Sequence, residues 1–271
     1  MEVGASHRND LEIQFFGLRR SGNHGVIAWI AQQYAEPIVF LNDVDPFKDP
    51  FTTFALGKIP NAVPERRLAP EATEELRTAH KNLLLISYED LKLHELEGNA
   101  LLPERAQWLG ESRQVRRVLL LRGFYNWFAS RIRLIEKRSE PGTDLTKRAR
   151  SMVRMWIAYA REFAGETAYL GEGVERVSFT QWVKDDAYNT ALLERLGIPV
   201  TNLPRAIVPT TGGGSSFGNT AFSNEEDVKS LFERWKHLLA PEYAGVRDVL
   251  KERHAEIDAY NQKIFGVEIP F

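Results

Sequence analysis

The sequence predicts an α/β fold: a single-domain, three-layer sandwich around a central, mainly parallel sheet of about five strands. Three observations predict it. Short apolar runs without period-two alternation recur along the chain and alternate with segments of helical spacing, the pattern of strands buried on both faces beneath helices. The first such run is followed at once by a glycine-bounded loop and a helix. At 271 residues and 43% hydrophobic content, the chain supports one sizeable core, so residues 1–271 are read as one domain.

The elements follow in order. Leu11 to Phe16 (LEIQFF) is the first strand, residues 17–23 are its loop, and His24 to Tyr34 (HGVIAWIAQQY) is the first helix. Ile38 to Leu41 (IVFL) and Asn82 to Ser87 (NLLLIS) are the second and third strands. Residues 45–80 between them begin rich in proline and aromatics with weak periodicity, and predict a lid or acceptor-side excursion, because a long loop inside a compact domain is usually functional or disordered. Arg116 to Leu121 (RRVLLL) is the fourth strand, with a helix over Asn126 to Lys137. Thr146 to Ala164 is a long amphipathic helix whose Met152, Met155, Trp156, Tyr159 and Phe163 form a core stripe. Val174 to Phe179 (VERVSF) is the fifth strand, and Asp186 to Leu196 a helix ended by Gly197, a residue suited to a C-cap. A glycine and serine loop at 210–219 (TTGGGSSFGN) precedes two helices, Asn224 to Leu239 and Ala244 to Phe265.

The 35 basic and 37 acidic residues nearly balance, which argues against a nucleic-acid coat or a general membrane-surface binder; an anion site must be local. The absence of cysteine excludes disulfides, thiolate metal sites and cysteine nucleophiles, and fits a reducing cytoplasm. The first ten residues are polar and carry no signal-like apolar run, and no stretch reaches the roughly 20 apolar residues of a membrane span, so a cytoplasmic protein without a membrane span is expected. His7, His80, His94, His237 and His254 show no paired ligand spacing, and no metal site is expected.

The segment Gly17-Leu-Arg-Arg-Ser-Gly22-Asn23-His24 keeps the two glycines of a P-loop at the standard separation, between a strand and a helix, which makes the fold P-loop NTPase-like. Such glycines let successive N–H groups and the helix N-terminus converge on an oxyanion. An ATP or GTP hydrolase needs lysine after the second glycine and then a hydroxyl ligand for magnesium; here those places hold Asn23 and His24. Positive charge stands within the loop instead, at Arg19 and Arg20, whose flat forks suit tetrahedral oxyanions. A chance spacing at a surface turn is the alternative, and the strand before and helix after argue against it.

Further on, Arg122 stands at a strand end and Ser130 lies one to two turns into the next helix, so that an arginine and a hydroxyl address one anion beside the first cradle. Taken together, Arg20-Ser21-Gly22-Asn23-His24 and Arg122 to Ser130, with Tyr125-Asn126-Trp127 between, resemble the 5′-phosphosulfate loop and the 3′-phosphate motif of the PAPS-dependent sulfotransferases, PAPS being 3′-phosphoadenosine-5′-phosphosulfate. The resemblance spans roughly residues 10 to 240 and is sharp at these two motifs. It implies metal-independent, in-line transfer of a sulfuryl group from PAPS to a hydroxyl or amine acceptor, with PAP as product. Arg20 matches the family's catalytic lysine, and Arg19, Arg20, Ser21, Gly22, Asn23, His24, Arg122 and Ser130 are the implied donor cradle. Phe179 takes the place of a tyrosine beside the adenine, where stacking survives and the phenol hydrogen bond does not. Gly213, Gly214, Ser215 and Ser216 take the place of the loop over the 3′-phosphate, without its Arg-Lys-Gly form; a plain linker is an equal reading.

The family's general base stands at one of two strand ends, which here hold Asp43 and Glu89; His24, opening the cradle helix, is a third candidate. Each has a plainer reading, as a helix cap, a turn residue or an anion donor. These carboxylates favour a small molecule or glycan acceptor of polyol type over a flat phenol, and the 45–80 excursion would cover it. Trp127, Phe128, Phe51 and Phe54 line that acceptor pocket or pack in the core. Two rival functions remain open: a nucleotide kinase or NTPase with a degenerate P-loop, and a catalytically silent PAP-binding module.

Overall fold

A computed structural model describes residues 7–35, 37–54, 70–96, 105–140, 142–201, 207, 217 and 225–266. Five strands, β1 (Asn9–Gly17), β2 (Ile38–Leu41), β3 (Lys81–Glu89), β4 (Ser112–Leu121) and β5 (Val174–Ser178), form one sheet in the order β2-β3-β1-β4-β5. All neighbouring pairs are parallel. Parallel neighbours need crossovers, and helices supply them. Helix α1 (Asn23–Ala31) follows β1; α2 (Pro50–Thr53) and α3 (Pro70–Thr78) lie between β2 and β3; α4 (Arg105–Leu109) precedes β4. After β4 come α5 (Phe124–Glu136) and α6 (Thr146–Phe163), and after β5 come α7 (Phe179–Lys184), α8 (Asp186–Leu196), α9 (Glu225–Phe232), α10 (Ala244–Lys251) and α11 (His254–Phe265).

Alternate residues of each strand enter different cores. Leu84, Ile86 and Tyr88 of β3 and Leu119 and Leu121 of β4 pack with α5, α6, α10 and α11, while Leu83, Leu85, Val118 and Leu120 pack with α1, α7, α8 and α9. The sheet is therefore the middle of three layers, and a strand covered on both faces loses the polar half of its alternation. That is why residues 83–86 read as an unbroken apolar run. No helix among the described residues is long and apolar enough to cross a membrane.

The register aligns the strand ends. Gly17 lies opposite Glu89 on one side and Leu120 on the other, and Leu121 lies opposite Ser178. The loops after β1, β3, β4 and β5 thus emerge in a row at the carboxyl edge, where α/β sheets bind ligands.

Several elements differ from the sequence reading. Phe179, expected to end the fifth strand, opens α7, because the Ser178 hydroxyl accepts from the Gln181 N–H (3.4 Å) and caps the helix. The helix expected over 224–239 stops at Phe232 and continues as a 3₁₀ turn, Arg234–Leu239. The expected single helix over 244–265 is two, broken at Glu252 and Arg253. The second half is held to the start of α5: Asn261 Oδ1 accepts from the Phe124 N–H (2.9 Å), and the Tyr125 hydroxyl donates to Asp258 (2.7 Å). Within the excursion, Phe51 and Phe54 are buried in the core shared with Phe16 and Tyr88, as are Trp127 and Phe128. Residues 55–69 of the expected lid lie outside the described residues.

Candidate active site

The loop after β1 is a tight turn. The Ser21 N–H donates to the Leu18 carbonyl (3.0 Å), and both Arg20 (φ 74°) and Gly22 (φ 102°) hold left-handed backbone. A side chain at Gly22 would also strike the Phe179 ring at 2.2 Å, so the position excludes anything larger on two counts. Helix α1 then starts at Asn23 with no side-chain cap and no acidic residue in its first turn, leaving its positive end available to an anion. Ser21 is fully buried, and its Oγ finds no hydrogen-bond partner among the described residues. Such an orphaned hydroxyl inside a P-loop turn fits a bound oxyanion.

Arg122 follows β4 and is buried. Its Nη2 donates to the Leu231 carbonyl (2.6 Å), its Nη1 to the Arg20 carbonyl (3.5 Å), and its guanidinium lies over the Phe179 ring (4.9 Å). The loop after β1, the end of β4 and the start of α7 therefore meet. Ser130, also buried, donates to the Asn126 carbonyl (2.9 Å) and accepts from Arg234 Nη1 (3.1 Å). Burial, then the charge of Arg234, then that of Arg20 push Arg122 well below the ordinary arginine value. Burial and then Arg20 push Arg234 down to about 10. The charge of Arg20 thus disfavours both buried guanidinium groups, a concentration of positive charge that an anion between them would relieve.

The opposite wall is acidic. Glu89, at the end of β3, accepts from Asn23 Nδ2 on one oxygen (2.7 Å) and from Arg19 Nε on the other (3.3 Å). Arg19 also ion-pairs with Asp43, and its Nε lies 3.8 Å from Asp90. Asp90 in turn pairs with Arg131 of α5. Glu89 further acts on Arg20, whose value burial lowers and Glu89 partly restores, while Arg131 and Arg138 lower it. Asn23 also donates to the Leu18 carbonyl (3.2 Å), and a side chain at Gly17 would lie 2.3 Å from its Oδ1. His24 Nε2 pairs with Asn42 Oδ1 (3.1 Å), which accepts from the Ser87 hydroxyl (2.8 Å).

Of the residues expected from sequence, the structure brings Arg20, Ser21, Gly22, Arg122, Ser130 and Phe179 together. Phe179 is buried as a buttress between Gly22 and Arg122. The side chains of Arg19 and Asn23 turn to the acidic wall with Asp43 and Glu89, and that of His24 to Asn42. Gly213, Gly214, Ser215 and Ser216 lie outside the described residues. Arg234 was missed: in the segment LFERWKHLL it reads as one more charge on a helix surface, and only the fold brings it to Ser130.

No protein-family model matches the chain, and no curated protein matches it. Among solved structures, it is similar to the mouse sulfotransferase SULT7A1 complexed with PAP, with a TM-score of 0.48 and 12% sequence identity over 93% of this chain and 88% of that one.

Proposed function

We propose that this chain is a sulfotransferase that moves a sulfuryl group from PAPS to a hydroxyl or amine acceptor by in-line, metal-independent transfer. The observation that carries the reading is the meeting of Arg20, Arg122 and Arg234 beside the turn at Gly22. It offers two anion positions: the loop N–H groups with Arg20, and Arg122 with Ser130 and Arg234. A donor with anionic groups on both the 3′ and the 5′ oxygens of its ribose answers both, which a simple nucleoside triphosphate does not. The side chain after Gly22 also supports it, since Asn23 spends its amide on Glu89 and Leu18 where a kinase would place its phosphate lysine.

In this reading Glu89 takes the proton of the acceptor O–H or N–H as the acceptor atom attacks sulfur. The bond from sulfur to the bridging oxygen breaks, and its electron pair leaves on the 5′-phosphate of PAP, stabilised by Arg20. One such charge pair at about 4 Å and an effective dielectric near 20 is worth roughly 4 kcal/mol gross. Glu89 is preferred over Asp43 and His24 because it bonds the donor loop through Asn23 and acts directly on Arg20. The carboxylate wall suits a glycan or other polyol hydroxyl.

Calorimetry with PAP and with ATP, with and without magnesium, tests the donor, and radiolabel transfer from PAPS to sugars, lipids, phenols and amines tests the reaction. Metal-free PAP binding together with transfer is expected. Magnesium-dependent ATP turnover would make the chain a kinase or NTPase instead, and PAP binding without transfer to any acceptor would make it a silent binding module.

A further inference from the structure

We infer that Arg19 is a positioning residue, which sets the carboxylates of the acceptor wall and does not hold the donor anion. The inference rests on the sulfuryl-transfer reading and deepens it by separating two adjacent arginines into different tasks.

Arg19 is engaged through main chain and side chain alike. Its N–H donates to Asp90 Oδ1 (2.9 Å), and its carbonyl accepts from Trp127 Nε1 (2.9 Å). Its Nε donates to Glu89 Oε2 (3.3 Å), and its Nη2 pairs with Asp43. One guanidinium thus spans the ends of β2 and β3 and fixes Glu89 from the side opposite Asn23. A flat fork with five donors in a fixed plane holds two carboxylates in a set relation, whereas the three donors of a lysine ammonium rotate about a single point charge and fix no such relation.

The backbone around it supports the same assignment. Asp43 (φ 52°), Asp90 (φ 59°) and Arg20 (φ 74°) are the non-glycine residues with left-handed backbone among those described, and Arg19 bonds or adjoins all three. Such residues persist where neighbours fix them, and they concentrate at functional sites. Arg131 holds Asp90 from α5, completing the frame. Burial opposes the charge of Arg19, but Asp43, Asp90 and Glu89 together hold it above the ordinary arginine value. A guanidinium answered by three carboxylates has little attraction left for a phosphate.

Arg19→Lys and Arg19→Ala test the assignment against the wild type. PAP affinity by calorimetry and the KM for PAPS are expected to stay within about threefold, while kcat falls at least about tenfold in both variants. The loss is expected to shrink to less than about twofold when the substitutions are made on Glu89→Gln, because residues acting through one group are not additive. Arg19→Lys keeps the charge, so a collapsed fold in Arg19→Ala leaves the comparison standing. PAP binding weakened about tenfold or more, or an undiminished kcat, overturns the assignment. A wild type that binds PAP and transfers nothing removes the reaction and not the geometry. In that case crystal structures decide: in Arg19→Lys the Glu89 carboxylate should leave Asn23 while residues 20–24 keep their place, and an unmoved Glu89 defeats the inference.

Discussion

Arg234 Nη1 donates to Ser130 Oγ at 3.1 Å, joining the segment after α9 to the helix that follows β4. The bond places a second buried arginine beside Arg122, which the charge of the half-buried Arg20 already disfavours, and this sets function against stability. A drop from the ordinary arginine value to about 10 corresponds to about 3 kcal/mol of cost to the charged form. The folded value is the depressed one, so the cost is fully present below pH 10 and is relieved only above it. Replacing Arg234 by methionine removes the cost and forfeits the bond to Ser130, worth about 1–1.5 kcal/mol, together with the stacking of the guanidinium over the Phe217 ring (5.1 Å), worth about 0.5–1 kcal/mol. Arg234→Met is therefore expected to be more stable than the wild type by about 0.5–1.5 kcal/mol in urea at pH 7.5 without ligand, and to bind PAP at least about tenfold more weakly. A variant that is less stable and binds PAP equally well would make Arg234 a strut of the fold.

Gly22 carries two separable constraints, the left-handed backbone and the Phe179 ring 2.2 Å from where a Cβ would stand. Gly22→Ala is expected to lose about 2–5 kcal/mol, roughly 1–2 from the backbone and 1–3 from overpacking, and to abolish measurable PAP binding. Adding Phe179→Ala relieves the clash but not the backbone, so the double variant should lose less than the sum of the two single ones. Strict additivity in denaturant unfolding would show that the ring and the turn do not meet in solution.

The sheet was legible because a parallel strand buried on both faces announces itself as an apolar run, as residues 83–86 and 118–121 do. The loop at Gly17 to Gly22 and the spacing of Arg122 and Ser130 were legible for the same reason: both are local patterns at strand ends. What sequence could not give was direction. Arg19 and Arg20 are adjacent and alike, yet Arg19 bonds Asp43 and Glu89 while Arg20, in left-handed backbone, lies between Glu89 and the buried Arg122 and Arg234. Arg234 joins the pocket only through the packing of a remote segment. The break between α10 and α11 carries neither glycine nor proline, and arises because Asn261 and Asp258 must meet the start of α5.

Arg20 lies between the acidic wall and the arginine pocket, where burial lowers it first and Glu89 supports its charge. If its charge matters most as electrons arrive on the leaving phosphate, Arg20→Ala should reduce kcat by about 10²- to 10³-fold and weaken PAP binding by less than about tenfold. Single-turnover transfer and PAP calorimetry separate the two quantities. Equal losses in both would show ground-state binding only, and unchanged turnover would remove Arg20 from the mechanism.

At the other edge of the sheet, Lys81 opens β3 almost wholly buried, with its ammonium donating to the Ala79 carbonyl (2.8 Å). Burial and then the neighbouring Arg8 push it down to about 8 from 10.5. The unfolded chain therefore binds more protons than the folded one between these values, so Lys81's contribution to stability rises with pH across that window. Below pH 8 the group is charged in both states, and the folded state bears the full cost of about 3 kcal/mol, to order of magnitude. Lys81→Met removes the titration while keeping the length of the stem. Urea unfolding of both proteins at pH 7 and pH 10 should therefore show the wild type gaining on the variant by about 2–3 kcal/mol as the pH rises. The comparison is a difference between two pH values, so the lost bond to Ala79 largely cancels. A gap that stays constant, or that moves in the variant's favour at high pH, would mean that the Lys81 ammonium reaches water in the folded protein.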